Sequence, residues 1–181
     1  MSYDRLTGLP GRRALERILN EELDKCAQEP VPFTVGVIDI DNLKLINEAL
    51  GCPAGDEVVR GVGEGLGREI GQSGFVAKLG SGEFGFLHKC GRHRRTPLLR
   101  YLIHKCEVLT FVRKRRQDRE IRLLQSLIDK CEAAAPNGIG RRVTLCYGIA
   151  LYPADGRRAD DLLETADARL AIQKQAKRYE N

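Results

Sequence analysis

Phe75-Val-Ala-Lys78-Leu79-Gly80-Ser81-Gly82-Glu83-Phe84-Gly-Phe-Leu87 reads as two short apolar runs around a Gly-rich turn. Short runs bounded by Gly and Ser are strands, and the tight link between them makes a hairpin. Well upstream, Phe33-Thr-Val-Gly-Val-Ile-Asp39-Ile40-Asp41 is an apolar, largely β-branched run that ends in acids. Such a run is a strand buried on both faces. A strand ending in carboxylates beside a Gly-rich turn is a place to hold a nucleotide and its metal.

The rest of the chain supplies helices around these strands. Arg12 to Ala27 carries Leu15, Ile18, Leu19 and Leu23 at helical spacing, and Pro30 and Pro32 end it. Leu43 to Leu50 reads as a short helix stopped by Gly51. Ala54 to Ile70 is helical, with Val58, Val59, Val62 and Leu66 on its apolar side. Residues 97 to 134 carry two helical stripes separated by the polar run Arg113 to Glu120. Arg142 to Leu151 is a strand, and Asp160 to Lys177 a closing helix with Leu162, Leu163, Ala166 and Leu170 inward. Helices flanking a mostly antiparallel sheet predict an α/β protein, an α+β sandwich of the ferredoxin-like kind.

A length of 181 residues fits one domain spanning 1–181. No apolar stretch approaches the ~20 residues that cross a bilayer. The opening Met-Ser-Tyr-Asp-Arg lacks the pattern of a secretion signal, so the cytoplasm is the expected compartment. The six cysteines form no CxxC pair and are expected as free thiols. His88-Lys-Cys90 and His104-Lys-Cys106 have the makings of a zinc site, against the plainer reading of a strand end and a helix face. Residues 91–131 hold twelve Lys/Arg and four Asp/Glu, a surplus of +8, whereas the remainder sums to −3. The basic character thus belongs to one helical insertion at about 91–120. It reads as a solvated helix surface, or as a patch for an acidic partner. Only Tyr101 and Phe111 interleave it, so base stacking on nucleic acid is not expected.

Several short motifs, in order, resemble the GGDEF family of diguanylate cyclase domains. Asp4-Arg-Leu-Thr-Gly-Leu-Pro10 resembles D-x-L-T-G-L-x-N-R, with Gly11 in place of Asn before Arg12. Asp39-Ile-Asp41-Asn-Leu-Lys44-Leu-Ile-Asn47 resembles D-x-D-x-F-K-x-x-N, and Gly51-Cys-Pro-Ala-Gly55-Asp56 resembles G-H-x-x-G-D. Ala166-Asp167 with Lys174 and Arg178 resembles the family's closing helix. The resemblance covers nearly the whole chain, and the joint signal is much stronger than any one motif.

The resemblance implies the palm-type, ferredoxin-like fold of those domains and a place in bacterial cyclic di-GMP signalling. It implies GTP or a related guanine nucleotide as ligand, held by Lys44, Asn47, Asp56, Gly80, Ser81, Lys174 and Arg178. Asp39 and the Ile40 backbone carbonyl would hold Mg²⁺ or Mn²⁺, with Glu83 as a further ligand; Asp39 and Glu83 are the candidate catalytic residues. Hard cations take one or two carboxylates plus phosphates, which suits that set. Asp41 fits either the metal or the cap of the helix that follows. The family makes its product between two domains, so a homodimer is also implied.

The chain departs from the pattern at its signature. Gly80-Ser81-Gly82-Glu83-Phe84 stands for G-G-D/E-E-F, so the third position lacks its metal carboxylate and Ser81 replaces a glycine. Gly71-Gln-Ser-Gly74 stands where the family's product-feedback site has R-x-x-D. Cys146-Tyr-Gly148 stands for S-x-G, and Ala171 where the family often has Tyr. These departures predict a degenerate domain that binds nucleotide with weak or no cyclase activity. Two alternatives stay open: an active cyclase that uses Glu83 as substitute ligand, and a non-enzymatic adaptor whose basic insertion binds a protein, a membrane or nucleic acid.

Overall fold

β1 (Phe33–Ile40) is buried along all its length except at Asp39, which is half-buried. A strand this apolar must be covered on both faces, and the architecture follows from that need. The computed structural model describes residues 2–28, 31–71, 74–89 and 143–180. The basic insertion, the helical stripes of 97–134, and Cys90, His104, Cys106 and Cys131 lie outside the described residues.

In chain order the elements are α1 (Arg12–Gln28), β1, α2 (Leu43–Leu50), α3 (Cys52–Ile70), β2 (Gly74–Lys78), β3 (Glu83–Lys89), β4 (Leu145–Tyr152) and α4 (Ala159–Glu180). The sheet order is β2-β3-β1-β4, and every neighbouring pair is antiparallel. This is the ferredoxin-like arrangement expected from the sequence. α3 starts at Cys52, two residues before the expected Ala54, because Pro53 sits in its first turn, where a missing N–H costs nothing. β4 begins at Leu145, later than the expected Arg142.

Two cores result, one on each face of the sheet. Ile38, Ile40, Phe84 and Phe86 pack against Val58, Val62 and Leu66 of α3. Val35, Val37 and Leu87 pack against Leu15 and Leu19 of α1 and Leu162 and Ala166 of α4. α4 lies so close to β4 that a Cβ on Gly148 would come within 1.9 Å of the Ala166 carbonyl oxygen. Only glycine on the strand permits that approach. No helix among the described residues is long and apolar enough to cross a membrane. Cys26 and Cys146 are buried free thiols, and Cys52 is exposed. His88 is buried within β3, and burial holds its pKa below the usual imidazole value.

One charged pair pins α4 to the turn after β4. Arg169 donates two hydrogen bonds to Asp155, at 2.6 and 2.7 Å, and a third to the Ile149 carbonyl at 2.6 Å. The Leu151 N–H donates to Asp155 at 2.8 Å. Burial opposes the Asp155 charge, but Arg169 and the Leu151 N–H outweigh it, and the carboxyl is held below its ordinary value of 3.8. A carboxyl depressed in the folded state binds its proton more readily when unfolded. Its contribution is therefore complete above that ordinary value and is lost as pH falls from there through the lower folded-state value. Asp155→Asn is expected to cost about 1–3 kcal/mol at pH 7, with the difference from wild type shrinking toward pH 3. Urea denaturation at pH 7, 5 and 3 measures it.

Candidate functional site

The site is assembled where the β2–β3 turn meets the N-terminal loop and α2. The loop is built on Asp4, whose carboxylate accepts from the Thr7 N–H at 2.9 Å and the Thr7 hydroxyl at 2.7 Å. Burial works against its charge, yet these bonds and nearby Lys78 hold its pKa below the usual value. The loop then returns to the sheet: the Lys78 N–H donates to the Pro10 carbonyl at 2.8 Å.

Lys78 also holds the turn. Its Nζ donates to the carbonyls of Gly80 and Ser81, the latter at 2.7 Å, and lies 4.9 Å from the centre of the Phe84 ring. The side chain is buried, and burial pulls its pKa down while Asp4, Glu83 and Asp39 pull it up. The turn is closed from within by the Leu79 N–H, which donates to the Glu83 carbonyl at 2.9 Å.

Beside the turn lies a cavity of about 490 Å³. Asn47 of α2, Asp56 of α3, and Gly80 and Ser81 of the turn line it, with Leu43 and Val59 as apolar wall. Its volume falls within the usual range of small-molecule sites. The Asn47 side-chain oxygen is buried and has no hydrogen-bond partner among the described residues. It fits there because Gly55 has no side chain: a Cβ at Gly55 would sit 1.8 Å from that oxygen. An unpaired buried amide oxygen next to a carboxylate, both bordering a cavity, is a donor-seeking edge.

The other lip of the turn is anionic. Asp39 and Glu83 are directly opposite each other on β1 and β3. The Ile40 N–H donates to the Gly82 carbonyl at 3.0 Å, so the Asp39–Glu83 pair is of the non-hydrogen-bonded kind, in which side chains stand closest. A residue's N–H and C=O point to the same neighbouring strand, which directs the Ile40 carbonyl at the turn. Asp39, however, is bridged by Lys174 of α4 at 2.9 Å. Glu83 leans toward Gly80, its Oε2 3.0 Å from where a Gly80 Cβ would lie. Gly82 is buried under α2, and a Cβ there would be 3.0 Å from Leu43 Cδ2. No group of three or more acidic, His or Cys side chains able to hold a metal is found among the described residues. Two carboxylates, one of them already neutralised, fit a divalent cation poorly.

Asp41 does not cap α2. The cap position is Asn42, in a left-handed conformation with φ 57°, and it makes no side-chain cap bond. Asp41 instead accepts from the Thr144 hydroxyl at 2.6 Å and from Lys177. With Cys146 beside it, burial and the Asp41 charge push the Cys146 thiol up to about 12. Lys44 points away, 89% exposed and paired with Glu48 at 3.7 Å. Arg178 is exposed on α4, and neither residue lines the cavity. The cavity therefore gathers Asn47, Asp56, Gly80 and Ser81. The strand end gathers Asp39, Glu83 and Lys174. Lys78, Lys177 and Thr144 were not singled out in the sequence; a lone Lys in the apolar run before the turn was the one available signal.

Comparison with known proteins identifies the family and the fold. The family described as diguanylate cyclase, GGDEF domain, matches residues 1–111. The chain belongs to the GGDEF family. This GGDEF domain is 30% identical over 178 residues to the diguanylate cyclase TpbB of Pseudomonas aeruginosa, covering 97% of the chain and 36% of TpbB. It is 29% identical over 166 residues to the cyclic di-GMP phosphodiesterase NbdA of the same species, covering 91% of the chain and 18% of NbdA. The chain thus spans only a minor part of each of these relatives. A sensory box/GGDEF protein structure from Caulobacter crescentus superposes with a TM-score of 0.71 at 27% identity, covering 97% of this chain and 99% of the other.

The GGDEF turn depends on Lys78. Lys78→Met keeps the stem and removes the bonds to two turn carbonyls, and is expected to cost about 1–3 kcal/mol. Urea denaturation at pH 7 measures it, and an unchanged midpoint would show that the clamp contributes nothing.

Proposed function

We propose that this domain binds GTP or a related guanine nucleotide and serves as a regulatory module in cyclic di-GMP signalling, with little or no cyclase turnover. The observation that carries the reading is the cavity that gathers Asn47, Asp56 and the Gly80–Ser81 backbone while Gly82 brings no carboxylate to the turn. The carboxylate of Asp56 accepts from the guanine N1–H and N2–H, and the unpaired Asn47 amide oxygen takes a donor on the same base edge. Phosphoryl transfer from GTP in this family needs divalent metal to neutralise the triphosphate. With one metal carboxylate missing and Asp39 engaged by Lys174, binding survives and chemistry does not. The names of TpbB and NbdA, a cyclase and a phosphodiesterase of cyclic di-GMP, point to the same signalling system. The reading puts the domain in the cytoplasm, where GTP is supplied.

A second reading is favoured by one observation, the direct cross-strand pairing of Asp39 with Glu83. In it, two GTP-loaded copies of the domain meet, Glu83 replaces the missing ligand, and cyclic di-GMP forms.

Titration calorimetry separates binding from its absence, and chromatography of the products separates the two readings. GTP is expected to bind and ATP to bind more weakly. Asn47→Ala and Asp56→Ala are each expected to lower GTP affinity about tenfold, the equivalent of one lost charge-assisted or buried hydrogen bond. No detectable GTP binding would sink the proposal. Cyclic di-GMP that forms in the wild type and disappears in Asp39→Ala would establish the second reading instead.

A further inference from the structure

We propose that the Lys174 ammonium is the resident cation of Asp39, and that the domain takes up guanine nucleotide without a divalent metal. This rests on the nucleotide reading above and goes beyond it by naming what neutralises the phosphates.

The Lys174 Nζ lies 2.9 Å from Asp39 Oδ2, with the two side chains 34% and 19% exposed. The pair is therefore partly shielded but open to a ligand. An ammonium has three donors, so one bond to Asp39 leaves two for phosphate oxygens. The pair sits at the far lip of the turn that lines the cavity. Ile40, the residue after Asp39, bonds to the Gly82 carbonyl, and Gly80 and Ser81 border the cavity itself. A nucleotide with its base at Asn47 and Asp56 and its phosphates over the turn would meet Lys174 there.

The surrounding charge argues the same way. Lys177 bridges Asp41, three residues along α4 from Lys174 and on the same helix face. Two ammonium groups thus meet the two carboxylates at the end of β1. Lys78 adds a third positive charge beneath the turn, within reach of the fields of Glu83, Asp39 and Asp4. The four carboxylates Asp4, Asp39, Asp41 and Glu83 face three ammonium groups. A hard cation is drawn by uncompensated carboxylate, and little is left here. Gly82 removes the one further acid that would have tipped the balance.

The test is calorimetric titration of the full chain with GTP, in Mg²⁺ and again in excess EDTA. Wild-type affinities are expected to agree within about twofold, since a cation that is part of the protein is not removed by a chelator. Lys174→Met is expected to lower affinity in EDTA about tenfold or more, the loss of a charge-assisted contact to phosphate. Asp39→Asn frees the ammonium, and is expected to raise affinity in EDTA about threefold, the scale of a partly exposed ion pair. Binding that appears only with Mg²⁺, or that falls in Asp39→Asn, would overturn the metal-free reading while leaving nucleotide binding intact. Binding in neither buffer would overturn both. Thermal melts of both variants near the wild-type midpoint tie the changes to the site rather than to folding.

Discussion

β1 is buried on both faces, and everything else in the domain is arranged to make that possible. Seven of its eight residues are buried, and the exception is Asp39. The strand carries the two cores as far as Ile38 and then turns polar within a single residue on one face. Its alternation sends Ile40 toward α3 and Asp39 toward α4. The carboxylate thus emerges at the rim of the sheet, held by a strand whose slip by one residue would turn Asp39 toward the apolar core under α3. Placing chemistry at the end of the most rigid strand fixes it more firmly than a loop would.

Much of this was legible from residues alone. The β-branched run 33–40 and the Gly-rich turn at 80–82 announce a central strand and a hairpin, and the helical stripes of α1, α3 and α4 supply the covering layers. Asn47 and Asp56 are nine residues apart, on either side of Gly51, and their convergence on one cavity needs the tight turn between α2 and α3 that Gly51 makes with φ 86°. Asp41 was misread. An acid just before a helix is usually its cap, but here Lys177 and Thr144 arrive from distant parts of the chain and outbid the helix for the carboxylate. Lys78 was invisible for a related reason. Its role depends on where the Gly80 and Ser81 carbonyls point, and no local pattern encodes that.

α4 is positioned by polar contacts as much as by its apolar stripe. Leu162, Ala166 and Leu170 bury against the sheet, but a stripe alone allows the helix to slide along its axis. Arg169 on Asp155, Lys174 on Asp39 and Lys177 on Asp41 fix the axial position at three levels. Individually such partly exposed pairs contribute about 0–1 kcal/mol, and more where the geometry is bidentate, as at Arg169. Their value here lies in register. Gly148 adds a steric notch that accepts the helix backbone between Ala166 and Leu170.

The altered signature separates two properties that the family's motif combines. The shape of the turn comes from its main-chain groups: Leu79 and Gly80 N–H groups on the Glu83 carbonyl, the Ile40 N–H on the Gly82 carbonyl, and the Gly80 and Ser81 carbonyls on the Lys78 ammonium beneath. None of these needs a side chain at position 82. The charge of the turn, by contrast, comes only from side chains, and Gly82 contributes none. A carboxylate can therefore be lost there while the wall of the cavity keeps its form. The lost charge is also less damaging than it would be in isolation, because Lys174 already answers Asp39. An unpaired Asp39 beside Glu83 would be a repulsive pair directly opposed across two strands, the arrangement that destabilises a sheet unless a cation intervenes. The ammonium on α4 supplies a cation to Asp39 from within the chain, so Asp39 and Glu83 stand opposite each other with one of the two charges paired.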